Sequence, residues 1–285
     1  MTRTAIVAKL NQHKPEPFVE IHPKDAQRFE LETNQLAKIE NLWGSMLARV
    51  QITDAQRVGE IFVPIHWTEQ FSKSGRVGAL VNPVFDPISK QPESKHTPVK
   101  ISRYQPTWQG FILSRRELKI TVPEYWVKNK GANFYRYELA DNKSPENWAD
   151  WARETLCANE SIAPQWQEYS DVVQGNYRAA RFVDRRLESV LFITTTGELP
   201  RRNWLMSVFS QNELSKVECL ALLTGEPPKS MEDVGIIVCG CFNIGEKTIQ
   251  QAIKKHGLIT HQEVGQYLKA GTNCGSCVPE IKALL

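Results

Sequence analysis

Four cysteines near the C-terminus constrain this chain more than any other feature. Cys239 and Cys241 lie in the run VCGCFNIGE, and Cys274 and Cys277 in TNCGSC, giving C-x-C, thirty-two residues, C-x-x-C. Four thiolates complete a tetrahedral zinc site or hold a 2Fe-2S cluster, so the C-terminal segment is expected to fold around metal. A C-x-C pair closes on itself only with strain. The N-terminus lacks a signal-peptide core, because only Ala5 to Ala8 separate Arg3 from Lys9. A cytoplasmic location is expected, where clustered cysteines act as metal ligands rather than disulfides. Cys157 and Cys219 stand alone in apolar stretches and are expected to be buried structural residues.

The sequence between the cysteine pairs predicts helices. One starts near Glu246, carries Ile249, Ala252 and Ile253 on one face, and stops at Gly257. Thr260 with Glu263 reads as a capping box. Val264, Tyr267 and Leu268 give that second helix its apolar stripe, with Gly271 as its end. Pro279 suits the first turn of a third helix. Both pairs then sit in loops beside helix starts, where N–H groups favour anionic sulfur. Gly240 and Gly275 are expected to free space for close backbone approach.

The remaining chain divides by pattern. Residues 1–106 look β-rich, with strands at Phe18–Ile21, Ala37–Glu40, Ala48–Ile52 and Val99–Ile101. A turn after the first strand leads into a helix at His22–Ala26, and EIFVPIHW reads as a buried strand. NPVFDPISKQPESK, with three prolines in fourteen residues, must be a loop. Residues 107–231 form a mixed α/β region that holds five of the eight tryptophans between Trp108 and Trp166. Trp148 and Trp151 stand one helical turn apart as core anchors. Strands are predicted at Tyr177–Phe182 and Leu187–Ile193, and a helix at Ser215–Leu223. Residues 232–285 form the cysteine module. A net charge of +3 gives no reason to expect nucleic acid, and no run of eighteen apolar residues spans a membrane.

The residues around the cysteines narrow the choice of metal. VCGCFNIGEKTI followed by CGSCVPEI closely resembles the bacterioferritin-associated-ferredoxin-like 2Fe-2S module. The resemblance implies that Cys239, Cys241, Cys274 and Cys277 ligate one 2Fe-2S cluster. A second resemblance lies in FVEIHPKDA, GEIFVPIHW and VNPVFDPISKQPESK, which look like the C-terminal dinucleotide-binding domain of the molybdopterin oxidoreductases. It implies a double-psi β-barrel over residues 1–106 and a molybdopterin guanine dinucleotide contacted by His66, Asn82 and Lys95. It implies contacts more weakly at Thr2, Arg3, Thr4, Trp67 and Ser89. Asparagine offers a donor and an acceptor to the pterin and base edges, and lysine and arginine meet phosphate charge.

The order of these segments, with WQGFILSRREL, YWVKNKGANFYRYELA and YRAARFVDRRLESVLF between them, resembles the bacterial assimilatory nitrate reductases. The resemblance implies a multidomain α+β chain: a β-barrel at 1–106, a Trp-rich middle at 107–231 and a small helical 2Fe-2S domain at 232–285. It implies nitrate reduction to nitrite, with electrons supplied by a flavoprotein reductase subunit, a ferredoxin or a flavodoxin. The family's N-terminal 4Fe-4S cysteines and molybdenum-ligating residue have no counterpart here. The chain is therefore expected to be a C-terminal part that is inactive alone, completed by a missing N-terminal part. Whether it is a shortened reading frame or one piece of a split protein stays open. Two other readings are a stand-alone 2Fe-2S electron-transfer or docking module and a zinc-stabilised interaction module.

Overall fold

The computed structural model describes residues 14–93, 96–157, 165–228 and 234–285. The N-terminal part is built on a five-stranded sheet. β1 (Phe18–Ile21) runs into a short helix, α1 (Pro23–Arg28), whose start is fixed by Pro23 and by the His22 ring, which accepts from the Lys24 N–H at 3.1 Å. β2 (Leu36–Glu40), β3 (Ser45–Ile52), β4 (Ile61–Phe62) and β5 (Lys100–Tyr104) complete the order β4-β1-β3-β2-β5. β1 and β3 pair in parallel, Phe18 opposite Arg49, while the other pairs are antiparallel. A parallel pair cannot be joined by a hairpin, so the chain crosses through α1 and β2 between them. Val19, Ile21, Ala37, Ile39, Ala48 and Val50 are wholly buried in the resulting core.

One expectation fails here. EIFVPIHW forms only the two-residue β4, with Phe62 46% and Ile65 65% exposed. Pro64 has no N–H for a ladder, and the chain turns at Ile65–His66 before Trp67 enters the interior.

The middle of the chain is a six-stranded sheet of order β7-β8-β6-β11-β10-β9, antiparallel throughout. Its strands are β6 (Trp108–Ser114), β7 (Tyr125–Lys130), β8 (Tyr135–Asp141), β9 (Gln165–Asp171), β10 (Asn176–Val183) and β11 (Arg186–Thr194). β6 and β11 show almost continuous burial, because apolar clusters cover both faces. On one face α2 (Trp148–Cys157) brings Trp148 and Trp151 edge-on to Trp108, with centroids 5.0 and 6.1 Å away. On the other, α3 (Arg202–Val208) and α4 (Lys216–Leu222) cover Phe111 and Phe192, which stack at 4.9 Å. Cys157 and Cys219 are half-buried rather than buried. Leu220, beside Cys219, lies on the solvent side of α4 at 81% exposure.

The two sheets share side chains. Leu36 and Leu47 pack with Trp67, Tyr125, Val127 and Ala140. One Glu16 carboxylate oxygen accepts from Arg49 Nε at 2.9 Å and from the Tyr125 hydroxyl at 2.8 Å. Deeper still, Glu138 on β8 accepts from Arg136 Nε at 2.6 Å and from Arg202 Nη2 at 2.7 Å. Burial alone would raise the Glu138 carboxyl, but Arg136 and Arg202 outweigh it and hold it down to about 2.

Candidate functional site

The cysteine region has its own small core. β12 (Ile237–Cys239) and β13 (Ile244–Gly245) pair antiparallel, and the turn between them carries Gly240, Cys241, Phe242 and Asn243. Asn243 sits at φ 55, a left-handed conformation that asparagine tolerates better than most residues. Gly245 then caps α5 (Glu246–His256), and a Cβ there would lie 2.0 Å from the Val234 carbonyl oxygen, so the turn requires glycine. α5 ends at Gly257, φ 61, as the sequence predicts. The capping box of Thr260 and Glu263 starts α6 (His261–Leu268). That helix stops at left-handed Lys269, φ 62, two residues before the glycine expected to end it. Cys277 occupies the N-cap of α7 (Val278–Leu284), with Pro279 in its first turn.

This framework gathers the four cysteines as two pairs. The sulfurs of Cys241 and Cys274 lie 3.3 Å apart, on the solvent side. Cys239 and Cys277 are buried in one core with Val238, Ile249, Val264, Ala270 and Ile281. Burial, reinforced by Cys239, pushes the Cys277 thiol up to about 12. Hydrogen bonds from the Ser276 side chain and backbone, then from Cys241, draw the Cys274 thiol down. Ser276 is a contributor that the sequence pattern alone does not single out. Gly275 has open space around its Cα and φ 72, so backbone conformation, not lack of bulk, is its requirement.

The donor set suits a binuclear centre. A two-iron cluster takes two thiolates per iron, and two pairs are what the fold presents. A lone zinc takes four ligands around a single point.

The residues expected around the dinucleotide are more dispersed. His66 is exposed in the turn after β4, and Trp67 lies in the apolar cluster between the two sheets. Asn82 is half-buried, and its amide reaches Glu93 Oε2 at 3.4 Å. Ser89 is exposed in a turn shaped by Asp86, whose carboxylate accepts from the N–H groups of Ile88 and Ser89 at 3.0 and 2.7 Å. Those bonds hold the Asp86 carboxyl below its usual range. Thr2, Arg3, Thr4 and Lys95 lie outside the described residues. Among the described residues no helix is long and apolar enough to cross a membrane.

Comparison with known proteins bears on both ends of the chain. Residues 1–98 match the molydopterin dinucleotide binding domain, and residues 237–285 match the BFD-like [2Fe-2S] binding domain. The two matches support a molybdopterin dinucleotide and a 2Fe-2S cluster as the cofactors. The chain thus resembles a molybdopterin dinucleotide-binding domain at one end and a 2Fe-2S-binding domain at the other.

Nitrate reductase from Klebsiella oxytoca is 36% identical over 288 residues, which is 100% of this chain and 32% of the relative. The assimilatory nitrate reductase catalytic subunit of Bacillus subtilis is 36% identical over 86 residues, 30% of this chain and 12% of the relative. The chain thus spans about a third or less of these relatives. Among solved structures, acetylene hydratase from Pelobacter acetylenicus overlays 33% of this chain and 15% of its own, with TM-score 0.30 and 20% identity. The domain matches and the nitrate reductase relatives together support a C-terminal nitrate reductase portion.

Proposed function

We propose that this chain serves the reduction of nitrate to nitrite in cytoplasmic nitrate assimilation, as the part of the enzyme that binds one end of a molybdopterin guanine dinucleotide and receives electrons. The carrying observation is the contact of Cys241 with Cys274 beside a shared core that buries Cys239 and Cys277, in one chain with a match to a dinucleotide-binding domain. Those four thiolates would hold the 2Fe-2S cluster, which supplies one-electron transfer when bound. Cys239 and Cys277 would anchor its buried side, and Cys241 and Cys274 the side open to a donor. That donor is a flavoprotein reductase subunit, a ferredoxin or a flavodoxin.

The dinucleotide belongs to a double-psi β-barrel formed within residues 1–106. The parallel crossover of β1 and β3 supports that topology. The Trp-rich unit is residues 107–231 and the cluster domain 232–285. His66, Asn82 and Lys95 are the proposed dinucleotide contacts, with Thr2, Arg3, Thr4, Trp67 and Ser89 as weaker ones. No residue of the chain is assigned a catalytic role. The molybdenum centre supplies the oxygen-atom chemistry, and its ligand is expected outside these 285 residues, so the chain alone does not turn over nitrate.

Anaerobic purification followed by reconstitution with iron and sulfide tests this reading. Visible absorption and EPR are expected to report one 2Fe-2S cluster, lost in Cys239→Ser and in Cys274→Ser. A colourless protein with one zinc per chain overturns the cluster and favours a zinc-stabilised module. A redox-active cluster that assembles normally, with no dinucleotide retained when the rest of the enzyme is supplied, favours a stand-alone electron-transfer module. Nitrate turnover by the chain alone removes the proposed division of labour.

A further inference from the structure

The four cysteines of the C-terminal region do not meet solvent equally. Cys239 ends β12 and Cys277 caps α7, and they are 2% and 3% exposed. Cys241 lies in the turn after β12 and Cys274 in the loop after α6, and both reach solvent. Their sulfurs touch at 3.3 Å although thirty-two residues separate them in sequence. A disulfide holds its sulfurs about 2.0 Å apart. Closure therefore asks for a movement of only about 1 Å, shared by two residues outside regular secondary structure. The competing links are disfavoured. Cys239 with Cys241 is a C-x-C pair, which closes only with strain. Cys274 with Cys277 would draw Cys277 out of the core it shares with Val238 and Ile281. Cys157 and Cys219 sit on α2 and α4, against the six-stranded sheet.

We propose that the cluster-free cysteine region is a redox switch, in which Cys241 and Cys274 close a disulfide that bars the cluster until it is reduced. The proposal rests on the 2Fe-2S reading above and adds the regulation of that site. The oxidant is a peroxide. The Cys274 sulfur attacks one peroxide oxygen, the O–O bond breaks, and a sulfenic acid and one water form. The Cys241 sulfur then attacks the sulfenic sulfur, forming the S–S bond and releasing a second water. Two thiols have lost two electrons and two protons, and hydrogen peroxide has become two waters. A dithiol returns both thiols by exchange through a mixed disulfide. While the link stands, only Cys239 and Cys277 remain as thiols of the quartet, and a cluster of this type takes four. The link also stops the exposed pair short of irreversible sulfinic acid. Transient disulfides of this kind belong to redox sensing in reducing compartments.

The test uses the full 285-residue chain, freed of metal and reduced, then treated with hydrogen peroxide. Free thiols are alkylated after unfolding, and links are read by tandem mass spectrometry. One link, Cys241 to Cys274, is expected, with Cys239 and Cys277 alkylated. Cys241→Ser loses the link and carries sulfinic acid at Cys274, while Cys239→Ser keeps the link. A preformed 2Fe-2S cluster offered by a scaffold protein, without added thiol, is expected to load the reduced chain and to leave the oxidised chain colourless. Dithiothreitol restores uptake. A link from Cys274 to Cys277, links spread over several pairs, no link at all, or cluster uptake by the disulfide form each overturn the proposal. A reduced chain that takes no cluster counts against the iron-sulfur reading alone, because the map of links is read without iron.

Discussion

Glu138 carries its charge in the interior of the six-stranded sheet, fully buried and bonded to two arginines from different elements. Removing one partner of such a set leaves the others buried without their counter-charge, which costs about 3–5 kcal/mol. Glu138→Gln is therefore expected to destabilise the chain by about that amount at neutral pH, read from denaturant unfolding. The pH dependence follows from the sign of the shift. Its folded value, about 2, lies below the ordinary 4.5. Its contribution is full above 4.5 and is lost as pH falls through that window toward 2. The gap between wild type and Glu138→Gln should narrow as pH drops from 5 to 3, and a constant gap would refute the assignment. Nothing in YRYELAD announces this residue, because a glutamate in a β pattern reads as solvent-facing. Its role depends on Arg202, sixty-four positions away. The cysteines were legible because their chemistry is carried by residue type and spacing. The dinucleotide contacts were assigned by resemblance, since a lone histidine, asparagine or lysine has no local pattern to read.

Elements with strong local signals form where the sequence places them. α5 has Gly257 at its stop and α6 its capping box, and both depend on residues within four positions. The end of α6 shows where such reading fails. Gly271 looks like the terminator, yet Lys269 takes the left-handed conformation and Gly271 only continues the turn at φ 83. A side chain in that conformation costs about 1–2 kcal/mol. Lys269→Gly is expected to raise the stability of the cysteine region by up to about 1 kcal/mol, after glycine's entropy cost. Thermal unfolding of the two proteins decides it, and a loss of stability would mean that the lysine side chain contributes more than its backbone strain costs. The misread strand at EIFVPIHW has the same origin. An apolar run reads as buried, but burial is decided by what packs against it, and Pro64 ends the ladder first.

The chain is joined at two levels of strength. The sheets of 18–104 and 108–194 share an apolar cluster and the Glu16–Arg49–Tyr125 contact. Among the described residues, the core of the cysteine region is drawn from residues 238–284. Polar contacts tie it to the rest, such as the Asn203 amide to the Gly235 carbonyl and Lys14 to Glu280 at 4.0 Å. Two of its core members, Cys239 and Cys277, are themselves proposed ligands, so cluster binding is part of what folds this region. Hydrogen exchange with and without reconstituted cluster is expected to differ by tenfold or more in protection over 237–281 and by little in the six-stranded sheet. Local opening follows cooperative units, and a core that takes none of the described residues of the six-stranded sheet can open by itself. Equal loss of protection in β6 and β11 would contradict this and make the cluster a keystone of the whole molecule. Protection confined to 237–281 would instead leave the sheets folded when the cluster is lost, so that the chain could keep its dinucleotide while its electron entry is reassembled.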